Sequence, residues 1–295
     1  MILCAGFGQR SRPLTDELPK PLLPVGDRPL LAHIARQLRS KGRAVAVANT
    51  HWLPDKISNI HGELEITLKL IHEAEIRGVA GAVAGARHLL EAPAVIWSGD
   101  ILLEDAPLDE LAARAERSGQ LCLAVAPARG AGTVGLDAQG RMVRVRGETH
   151  GVEVRSADYV SLFAAGRDAL AELPEQGDLF ADYCLPKLRR GEPIETCPIA
   201  GRWWDIGTPA TYLQTNFDWL SQHATTPRGS YVAASADVAA GVRVESSVVG
   251  DGARVVGSGA LEHCVVWPGS VALAPLSRCV VTPRGVVAAT APASP

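Results

Sequence analysis

The sequence lacks the patterns of disulfide-rich, zinc-binding and membrane-spanning proteins. Its six cysteines are scattered, with no Cys-x-x-Cys pair and no paired histidine spacing, which argues against a disulfide framework or zinc and for a reducing compartment. No apolar run approaches the ~18 residues that a membrane span needs. Met1 leads straight into an apolar strand, so we expect no signal peptide, no membrane partner and a cytoplasmic location.

An excess of charge of either sign is also lacking. The formal net charge of −3 gives no reason to expect nucleic acid or an anionic membrane surface as a partner. Hydrophobic residues make up 47% of the chain and charged residues 21%, which is ordinary for a globular protein. The 295 residues can bury one large core or two modest ones.

Two common phosphate-binding loops are missing, although the chain opens on a loop that contains glycine. No Gly-Lys-Ser/Thr occurs, so the loop is not a P-loop. A dinucleotide fingerprint needs a third glycine and an immediate helix after Gly6-x-Gly8. Ser11 takes the place of that glycine and Pro13 blocks the helix.

The residues that are present in this loop suit a triphosphate. Gly6 and Gly8 permit a backbone whose N–H groups can converge on phosphate oxygens. Arg10, Arg12 and Lys20 add cations, and the prolines at 13, 19, 21 and 24 keep the segment stiff and extended. The loop therefore predicts phosphate donors that are held in place before the ligand binds.

The same loop resembles the signature of the sugar-1-phosphate nucleotidylyltransferases, Leu-Ala-Ala-Gly-x-Gly-Thr-Arg-Leu-x-Pro-Leu-Thr followed by Pro-Lys-Pro. The chain matches it at Arg10, at Pro13-Leu14-Thr15 and at Pro19-Lys20-Pro21, and departs from it at Cys4, Gln9 and Ser11. A second match is Trp204-Asp205-Ile206-Gly207-Thr208-Pro209 with Tyr212-Leu213, which resembles the family's Trp-x-Asp-Ile-Gly-Thr-Pro and Tyr-Leu.

Strands alternate with helices through the first 126 residues, which predicts a mostly parallel sheet covered on both faces. The stretch 130–151 is rich in Gly, Arg and Val and predicts hairpins instead. The expected fold class is α/β: a Rossmann-like nucleotidyltransferase domain over residues 1–223.

A repeat follows a linker at 224–230. Val232, Val238 and Val244 recur every six residues, and the Val-Val pairs after Ser247, Cys264 and Cys279 recur at intervals of 17 and 15. This hexapeptide pattern predicts a short left-handed parallel β-helix over 231–287. We expect its open ends to dock on the first domain or on a second copy of the chain. The Ala/Pro/Ser tail, 288–295, is expected to be disordered.

The resemblance implies a reaction in which a sugar 1-phosphate oxygen attacks the α-phosphorus of an NTP and pyrophosphate leaves. It implies Arg10, Lys20, Asp100 and Asp205 as the catalytic residues, with the two aspartates holding Mg²⁺. Asp100 stands at the end of an apolar strand, at the sheet edge where open α/β sheets bind ligands.

The resemblance also implies the substrate contacts. The expected nucleotide-binding residues are Leu3, Ala5, Gly6, Gly8, Arg10, Lys20, Glu73, Gly78 and Gly81. A carboxylate at Glu73 could accept from guanine N1–H and N2–H₂, which favours GTP and hence a mannose-1-phosphate guanylyltransferase. The alternatives are a uridylyl- or thymidylyltransferase of the same fold, and a silent regulatory protein that binds a nucleotide-sugar.

The sugar-phosphate contacts implied in this way are Gly135, Arg146, Glu148 and Asp158. Many relatives have Glu-Lys-Pro where this chain has Glu148-Thr149, so the lysine that grips the sugar phosphate is replaced by a neutral hydroxyl. The nearest cations in the sequence are Arg144 and Arg146. Either one of these cations substitutes for that lysine, in which case we expect Arg146, or the sugar phosphate binds weakly or not at all.

Overall fold

The structure is a computed structural model that describes residues 1–289, apart from the side chain of His61. The helices are α1 Leu30–Ser40, α2 Pro54–Asn59, α3 Gly78–Ala86, α4 Leu108–Ser118, α5 Arg167–Glu172, α6 Leu185–Arg189 and α7 Pro209–His223. The strands of the first 223 residues are β1 Ile2–Leu3, β2 Pro24–Val25, β3 Arg28–Pro29, β4 Val45–Thr50, β5 Thr67–His72, β6 Ala94–Ser98, β7 Ile101–Leu103, β8 Leu121–Pro127, β9 Val134–Leu136, β10 Met142–Val145, β11 Glu148–Thr149, β12 Arg155–Ala165, β13 Glu195–Pro198 and β14 Trp203–Asp205.

The remaining strands are β15 Tyr231–Val232, β16 Asp237–Val238, β17 Val242–Glu245, β18 Val248–Val249, β19 Arg254–Glu262, β20 Val265–Val266, β21 Val271–Ser277, β22 Cys279–Thr282 and β23 Gly285–Ala288. The chain forms two compact units. The first contains residues 1–6 and 34–203, and the second contains 7–33 and the chain from Trp204 onward. These units are discontinuous and cut across the expected domain at 1–223, whose boundaries stay a prediction.

The first unit is built on a mixed sheet with the strand order β11-β10-β9-β12-β6-β1-β4-β5, to which β8 and β13 are joined through β12. The strands β6, β1, β4 and β5 are parallel, as the βαβ alternation predicts. On the other side of β6 lies the antiparallel strand β12. The strands β9, β10 and β11, which fall in the region 130–151 where hairpins are predicted, follow β12 in the sheet and are antiparallel to one another. The α/β class is therefore confirmed, and the parallel part of the sheet surrounds β1.

The second unit contains the repeats. Tyr231, Val248, Val265 and Val280 pair in parallel register, at offsets of 17, 17 and 15 residues. Their neighbours Val249, Val255, Leu261 and Val266 are buried together in an apolar cluster, so each strand buries its face only by stacking on the next. The sequence repeat therefore corresponds to stacked parallel strands.

Ala288, the first residue of the predicted disordered tail, lies in a strand. Ala288 lies opposite Cys279 in an antiparallel pair of strands, because the turn at Pro283-Arg284 brings β23 back along β22. The rest of that predicted tail, from residue 290, lies outside the described residues. Among residues 1–289, no helix is both long enough and apolar enough to cross a membrane.

Candidate active site

The carboxyl ends of the parallel strands meet at one edge of the sheet in the first unit. β1 lies between β4 and β6, and Leu3 stands opposite both Asn49 and Ser98. Asp100 follows the end of β6 by two residues and is half-buried. Because ligands bind outside the carboxyl ends of strands in open α/β sheets, Asp100 lies at the edge that a ligand would use.

The family position that carries alanine is Cys4 in this chain. Cys4 is 1% exposed, and burial raises the pKa of its thiol to about 12. The thiol is therefore neutral at pH 7 and packs as a small hydrophobic side chain. This departure does not add a charge to the start of the loop.

A buried amide, Asn49, ties the end of β1 to the end of β5. Its Oδ1 accepts the N–H of Cys4 at 2.8 Å, and its Nδ2 donates to Oε1 of Glu73 at 2.8 Å. The other carboxylate oxygen of Glu73 accepts the N–H of Arg77 at 3.2 Å, and Glu73 is only 4% exposed. Glu73 thus has partners within the chain and is almost closed to solvent.

Gly78 and Gly81, both expected to bind nucleotide, pack against another segment of the first unit. Gly78 has a φ of +76°, and a Cβ there would lie 2.7 Å from the carbonyl carbon of Gly177. A Cβ on Gly81 would lie 2.8 Å from Cα of Gln176. The N–H groups of Ala80 and Gly81 both point to the carbonyl oxygen of Gly177, at 3.1 and 3.4 Å. Close backbone packing therefore requires both glycines, whether or not a nucleotide binds.

The glycine-bearing loop begins at the end of β1. Gly6 is exposed, and a Cβ there would have nothing within 4 Å, so its backbone stays open to a ligand. Ala5, by contrast, is 5% exposed. Any contact of Ala5 with a nucleotide must therefore come from its backbone.

In the second unit, the continuation of the loop is folded around Gly8. Gly8 has a left-handed φ of +64°, and its carbonyl oxygen accepts the N–H of Ser11 at 2.9 Å and the hydroxyl of Thr15 at 2.8 Å. A Cβ on Gly8 would lie 2.7 Å from Cγ2 of Thr15 and 3.1 Å from Cγ of Lys20. Three residues of the signature, Gly8, Thr15 and Lys20, therefore pack on one another.

Arg10 and Asp205 approach the same glycine of the second unit. A Cβ on Gly207 would lie 3.4 Å from Nη2 of Arg10 and 3.4 Å from Oδ1 of Asp205. The buried hydroxyl of Ser11 donates to the carbonyl oxygen of Gly207 at 3.0 Å, which ties this glycine to the loop. The structure thus places two of the predicted catalytic residues beside each other.

The segment that carries Asp205 is fixed by the start of α7. The hydroxyl of Thr208 accepts the N–H of Thr211 at 3.2 Å, and the hydroxyl of Thr211 accepts the N–H of Thr208 at 3.0 Å. This reciprocal cap satisfies donors at the N-terminus of α7. Thr208, two residues after the buried Ile206, is therefore the cap of α7, and it fixes the chain shortly after Asp205.

Two of the expected sugar-phosphate residues are enclosed by the chain itself. Asp158 is 6% exposed, and its two oxygens accept the N–H groups of Arg129 at 2.8 Å and Thr133 at 3.1 Å. Gly135 is covered by Glu153, because a Cβ on Gly135 would lie 2.6 Å from Oε1 of that residue. Asp158 therefore shapes a loop, and Gly135 makes room for a neighbouring carboxylate.

Of the other two, Arg146 lies in the exposed turn between β10 and β11, and Glu148 is the half-buried first residue of β11. Arg146 has a φ of +53°, and its Nη1 is 3.5 Å from Oδ1 of Asp178. Glu148 is bound by Arg189, with Nη2 and Oε1 2.8 Å apart, and this hydrogen bond lowers the pKa of Glu148. Arg146 thus has a long ion pair, whereas Glu148 has a close one.

Comparison with known proteins decides the family. A family profile described as "Nucleotidyl transferase" matches residues 1–222. The chain belongs to the nucleotidyl transferase family. It is 27% identical over 297 residues to the "Probable mannose-1-phosphate guanylyltransferase 2" of Arabidopsis thaliana, covering 91% of this chain and 81% of the relative. It is 25% identical over 302 residues to the "Mannose-1-phosphate guanylyltransferase" of Mycobacterium tuberculosis, covering 86% and 80%.

A solved nucleotidyl transferase fold agrees with this assignment. The crystal structure of HddC from Yersinia pseudotuberculosis complexed with GMP-PN matches with a TM-score of 0.60 at 18% identity, covering 74% of this chain and 97% of that one. The likeness shows the fold. With the family and the curated relatives, the chain is a nucleotidyltransferase, and the sugar-1-phosphate nucleotidylyltransferase activity expected from the sequence is supported.

The family aspartates suit a magnesium ion by their chemistry. Within residues 1–289, no cluster of three or more His, Cys, Asp or Glu side chains could hold a metal ion. Mg²⁺ is usually bound by one or two carboxylates together with waters and substrate phosphates, so a protein cage is not needed. Asp100 is half-buried and Asp205 is exposed, and both follow or end a strand. The two carboxylates fit the donor type that Mg²⁺ prefers.

Sequence reasoning missed Asn49 and Ser11 as residues that shape the site. Asn49 is 3% exposed and Ser11 is fully buried. Asn49 could have been found, since an amide at the end of an apolar strand must satisfy its hydrogen bonds when buried. Ser11 carried no such signal, because its acceptor, Gly207, lies 196 residues away.

Proposed function

We propose that this nucleotidyl transferase is a mannose-1-phosphate guanylyltransferase, which forms GDP-mannose and pyrophosphate from GTP and mannose 1-phosphate. The names of the curated relatives support the choice of GTP and of the sugar. HddC, which shares the fold, is described with a bound guanine nucleotide analogue. The observation that carries the proposal is the loop around Gly8, where Thr15 and Lys20 pack on the glycine and Arg10 lies beside Asp205 at Gly207.

The loop is proposed to bind the β- and γ-phosphates of the nucleotide. Gly6 and Gly8 would offer backbone N–H groups, and Arg10 and Lys20 would neutralise the charge that grows on the departing pyrophosphate. The sugar-phosphate oxygen is already ionised near pH 7, so the attack needs no general base. Catalysis would then come from positioning and charge stabilisation, as in other phosphoryl-transfer enzymes.

Asp100 and Asp205 are proposed to hold Mg²⁺ with the substrate phosphates. The ion would supply positive charge at the phosphate oxygens during transfer. Asp205 stands beside Arg10 at Gly207, which puts a carboxylate and a cation where phosphate charge is expected. Replacement of either aspartate by asparagine tests this assignment.

We propose that the base of the nucleotide binds at the carboxyl end of β1 and at the loop 73–81. Leu3, Ala5 and Gly6 would contribute backbone groups, because their side chains are apolar or missing. Glu73 would act by holding Asn49, and Asn49 in turn holds the N–H of Cys4. Gly78 and Gly81 would shape this loop for the base through their close packing on residues 176 and 177.

The sugar phosphate is proposed to bind near Arg146. Arg144 is less available, because it forms a bidentate pair with Glu153 at 2.7 and 3.1 Å. Arg146 is exposed, and its ion pair with Asp178 is long. It would then supply the charge that Thr149 lacks.

The repeats are proposed to form the short left-handed parallel β-helix. The parallel register of the Val-Val strands supports it, as does a ladder of left-handed residues at Ser246, His263 and Arg278, one per repeat. A homo-oligomer formed through this segment and a cytoplasmic location also remain proposals. His263 packs its ring edge-on against Phe217 at 5.3 Å, which suits a residue with a structural role.

The experiment is pyrophosphate release across a matrix of NTPs and sugar 1-phosphates, with Mg²⁺ present. We expect the highest kcat/KM with GTP and mannose 1-phosphate. A clear preference for UTP or dTTP would replace the guanylyltransferase with a uridylyl- or thymidylyltransferase. Nucleotide-sugar binding without turnover of any pair would favour the silent regulatory protein.

A further inference from the structure

The nucleotide loop and the C-terminal repeats belong to the same compact unit, and a short hydrogen-bond chain joins them through α7. The indole Nε1–H of Trp267, in the repeats, donates to the hydroxyl of Tyr212 at 3.0 Å. That hydroxyl donates to the carbonyl oxygen of Pro24, in the loop, at 2.6 Å. One tyrosine therefore connects the two segments.

The direction of these two hydrogen bonds is fixed by which groups can donate a proton. An indole nitrogen can only donate, and a tyrosine hydroxyl has a single proton to give. Tyr212 is fully buried and Trp267 is 2% exposed, so water does not replace either bond. Burial also raises the pKa of Tyr212, which keeps its proton available for Pro24 at neutral pH.

The same face of α7 holds the turn that follows Pro24. Asn216 accepts the N–H of Gly26 through Oδ1 at 2.9 Å. Gly26 has a left-handed φ of +62°, and a Cβ there would overlap the indole of Trp219. Tyr212, Asn216 and Trp219 are spaced by four and three residues, so they share one face of the helix.

The repeats reach the loop at a second, independent point. The hydroxyl of Thr282 donates to the carboxylate of Glu17, and Thr282 is 3% exposed. Glu17 follows Thr15 by two residues, and Thr15 holds the carbonyl oxygen of Gly8 at 2.8 Å. The two tethers therefore hold the loop on either side of Lys20.

We propose that Trp267 and Thr282 are positioning residues for the nucleotide loop, acting through Tyr212 and Glu17. The proposal rests on the proposed role of this loop in binding the triphosphate. A loop held in its binding conformation loses less entropy when the ligand binds, so affinity and rate both gain. The repeats then contribute to catalysis without themselves touching the reacting atoms.

The test compares four variants of the full-length chain by kcat/KM for the nucleotide and by KM for the sugar phosphate. Trp267→Phe keeps an aromatic ring and removes the N–H, and Thr282→Val keeps the shape and removes the hydroxyl. Thr282→Ser restores the hydroxyl. Ser247→Ala is the matched control, since Ser247 is buried and the partners of its hydroxyl, Glu245, Leu261 and Cys264, all lie in the repeats.

We expect Trp267→Phe and Thr282→Val to lower kcat/KM for the nucleotide by about three- to tenfold, each hydrogen bond being a modest contribution. KM for the sugar phosphate should stay at the wild-type value. Thr282→Ser should recover the nucleotide kinetics, and Ser247→Ala should lower the melting temperature alone. Equal nucleotide kinetics in Trp267→Phe, Thr282→Val and Ser247→Ala would overturn the proposal, as would a Thr282→Ser variant no better than Thr282→Val.

Two further comparisons allow a failure of this proposal to be distinguished from a failure of the proposed function. If Trp267→Phe does not fold, the Thr282→Val and Thr282→Ser pair decides alone. If the wild type does not turn over GTP with mannose 1-phosphate, the proposed function fails, and the same variants are compared by calorimetric affinity for Mg²⁺-NTP. A wild-type chain that binds no triphosphate would overturn both.

Discussion

The nucleotide loop and the hairpin region that carries the expected sugar contacts are held in opposite ways. In the loop, Gly8, Ser11 and Thr15 are joined by hydrogen bonds of 2.8 to 2.9 Å, and the side chains of Ser11 and Thr15 are fully buried. In the hairpins, Arg146 and Glu148 rely on ion pairs between side chains that are each 42% or more exposed. Surface ion pairs contribute about 0–1 kcal/mol to stability, so the charged side chains of the hairpin are held less firmly than the side chains of the loop.

This difference matches where the sequence keeps the family pattern. The loop keeps the signature at Arg10, Thr15 and Lys20, whereas the hairpin replaces the family lysine with Thr149. If the loop binds the nucleotide as proposed, that half of the reaction would depend on a segment fixed by buried hydrogen bonds. If the hairpin binds the sugar phosphate as proposed, the other half would depend on exposed charged side chains.

The largest effect is expected from the proposed magnesium ligands. Asp100→Asn and Asp205→Asn should each lower kcat by about 10³-fold, since a metal supplies several kcal/mol at a transition state. Both variants should still fold, because neither aspartate side chain is fully buried. The measurement is pyrophosphate release with Mg²⁺. Asp237→Asn, an exposed aspartate of the repeats, is the control, and unchanged turnover in either site variant would remove that residue from the metal site.

The next effect sharpens the role of the loop. Arg10→Ala should lower kcat by about 10²-fold, because a prearranged charge at a developing anion is lost. Arg12→Ala is the matched control in the same loop, since Arg12 is exposed and forms an ion pair with Asp16 at 3.1 Å. It should change kcat less than threefold or so, as surface pairs contribute little. Equal losses in the two variants would mean that net charge, and not position, is what the loop provides.

Much of the fold could be predicted because the signals are local. The alternation of strands and helices before residue 126 lies in short stretches of sequence, and the strands β1, β4, β5 and β6 pair in parallel as it predicts. The parallel pairing of the repeats follows from the Val-Val spacing. The discontinuous second unit could not be predicted, because it depends on contacts such as that of Tyr212 with Pro24, 188 residues apart.

The candidate site was less predictable than the fold. The motif indicates that Gly8, Arg10 and Lys20 belong together, yet it does not reveal that Thr15 closes the loop on Gly8. For Glu73 the sequence indicates only a carboxylate in a loop. Its burial and its bond to Asn49 depend on the register of β4 beside β5, which places Asn49 opposite Ile71, two residues from Glu73.

A third prediction separates stability from ligand approach within the loop. Gly8→Ala should destabilise the protein by about 1–2 kcal/mol, because an L-residue at a φ of +64° is strained and its Cβ would crowd Thr15. Gly6→Ala should leave stability unchanged, since nothing lies within 4 Å of its Cβ, and should raise KM for the nucleotide by covering the open backbone. Urea unfolding and nucleotide kinetics measure the two effects. A Gly6→Ala variant with wild-type KM would show that the nucleotide does not approach this residue.

The smallest effect is expected at Arg146, in the hairpin, whose charged side chains are held less firmly than the loop. Arg146→Ala should raise KM for the sugar phosphate by about fivefold, since an exposed charge contributes about 1 kcal/mol, and should leave KM for the nucleotide unchanged. The difference from the wild type should shrink in high salt, because exposed charges are screened. Arg144→Ala is the matched control: it breaks the bidentate pair with Glu153, so it should lower the melting temperature more than it changes KM. If Arg146→Ala binds the sugar phosphate normally while Arg144→Ala does not, the cation that replaces the missing lysine is Arg144, and the pair with Glu153 must open when the sugar phosphate binds.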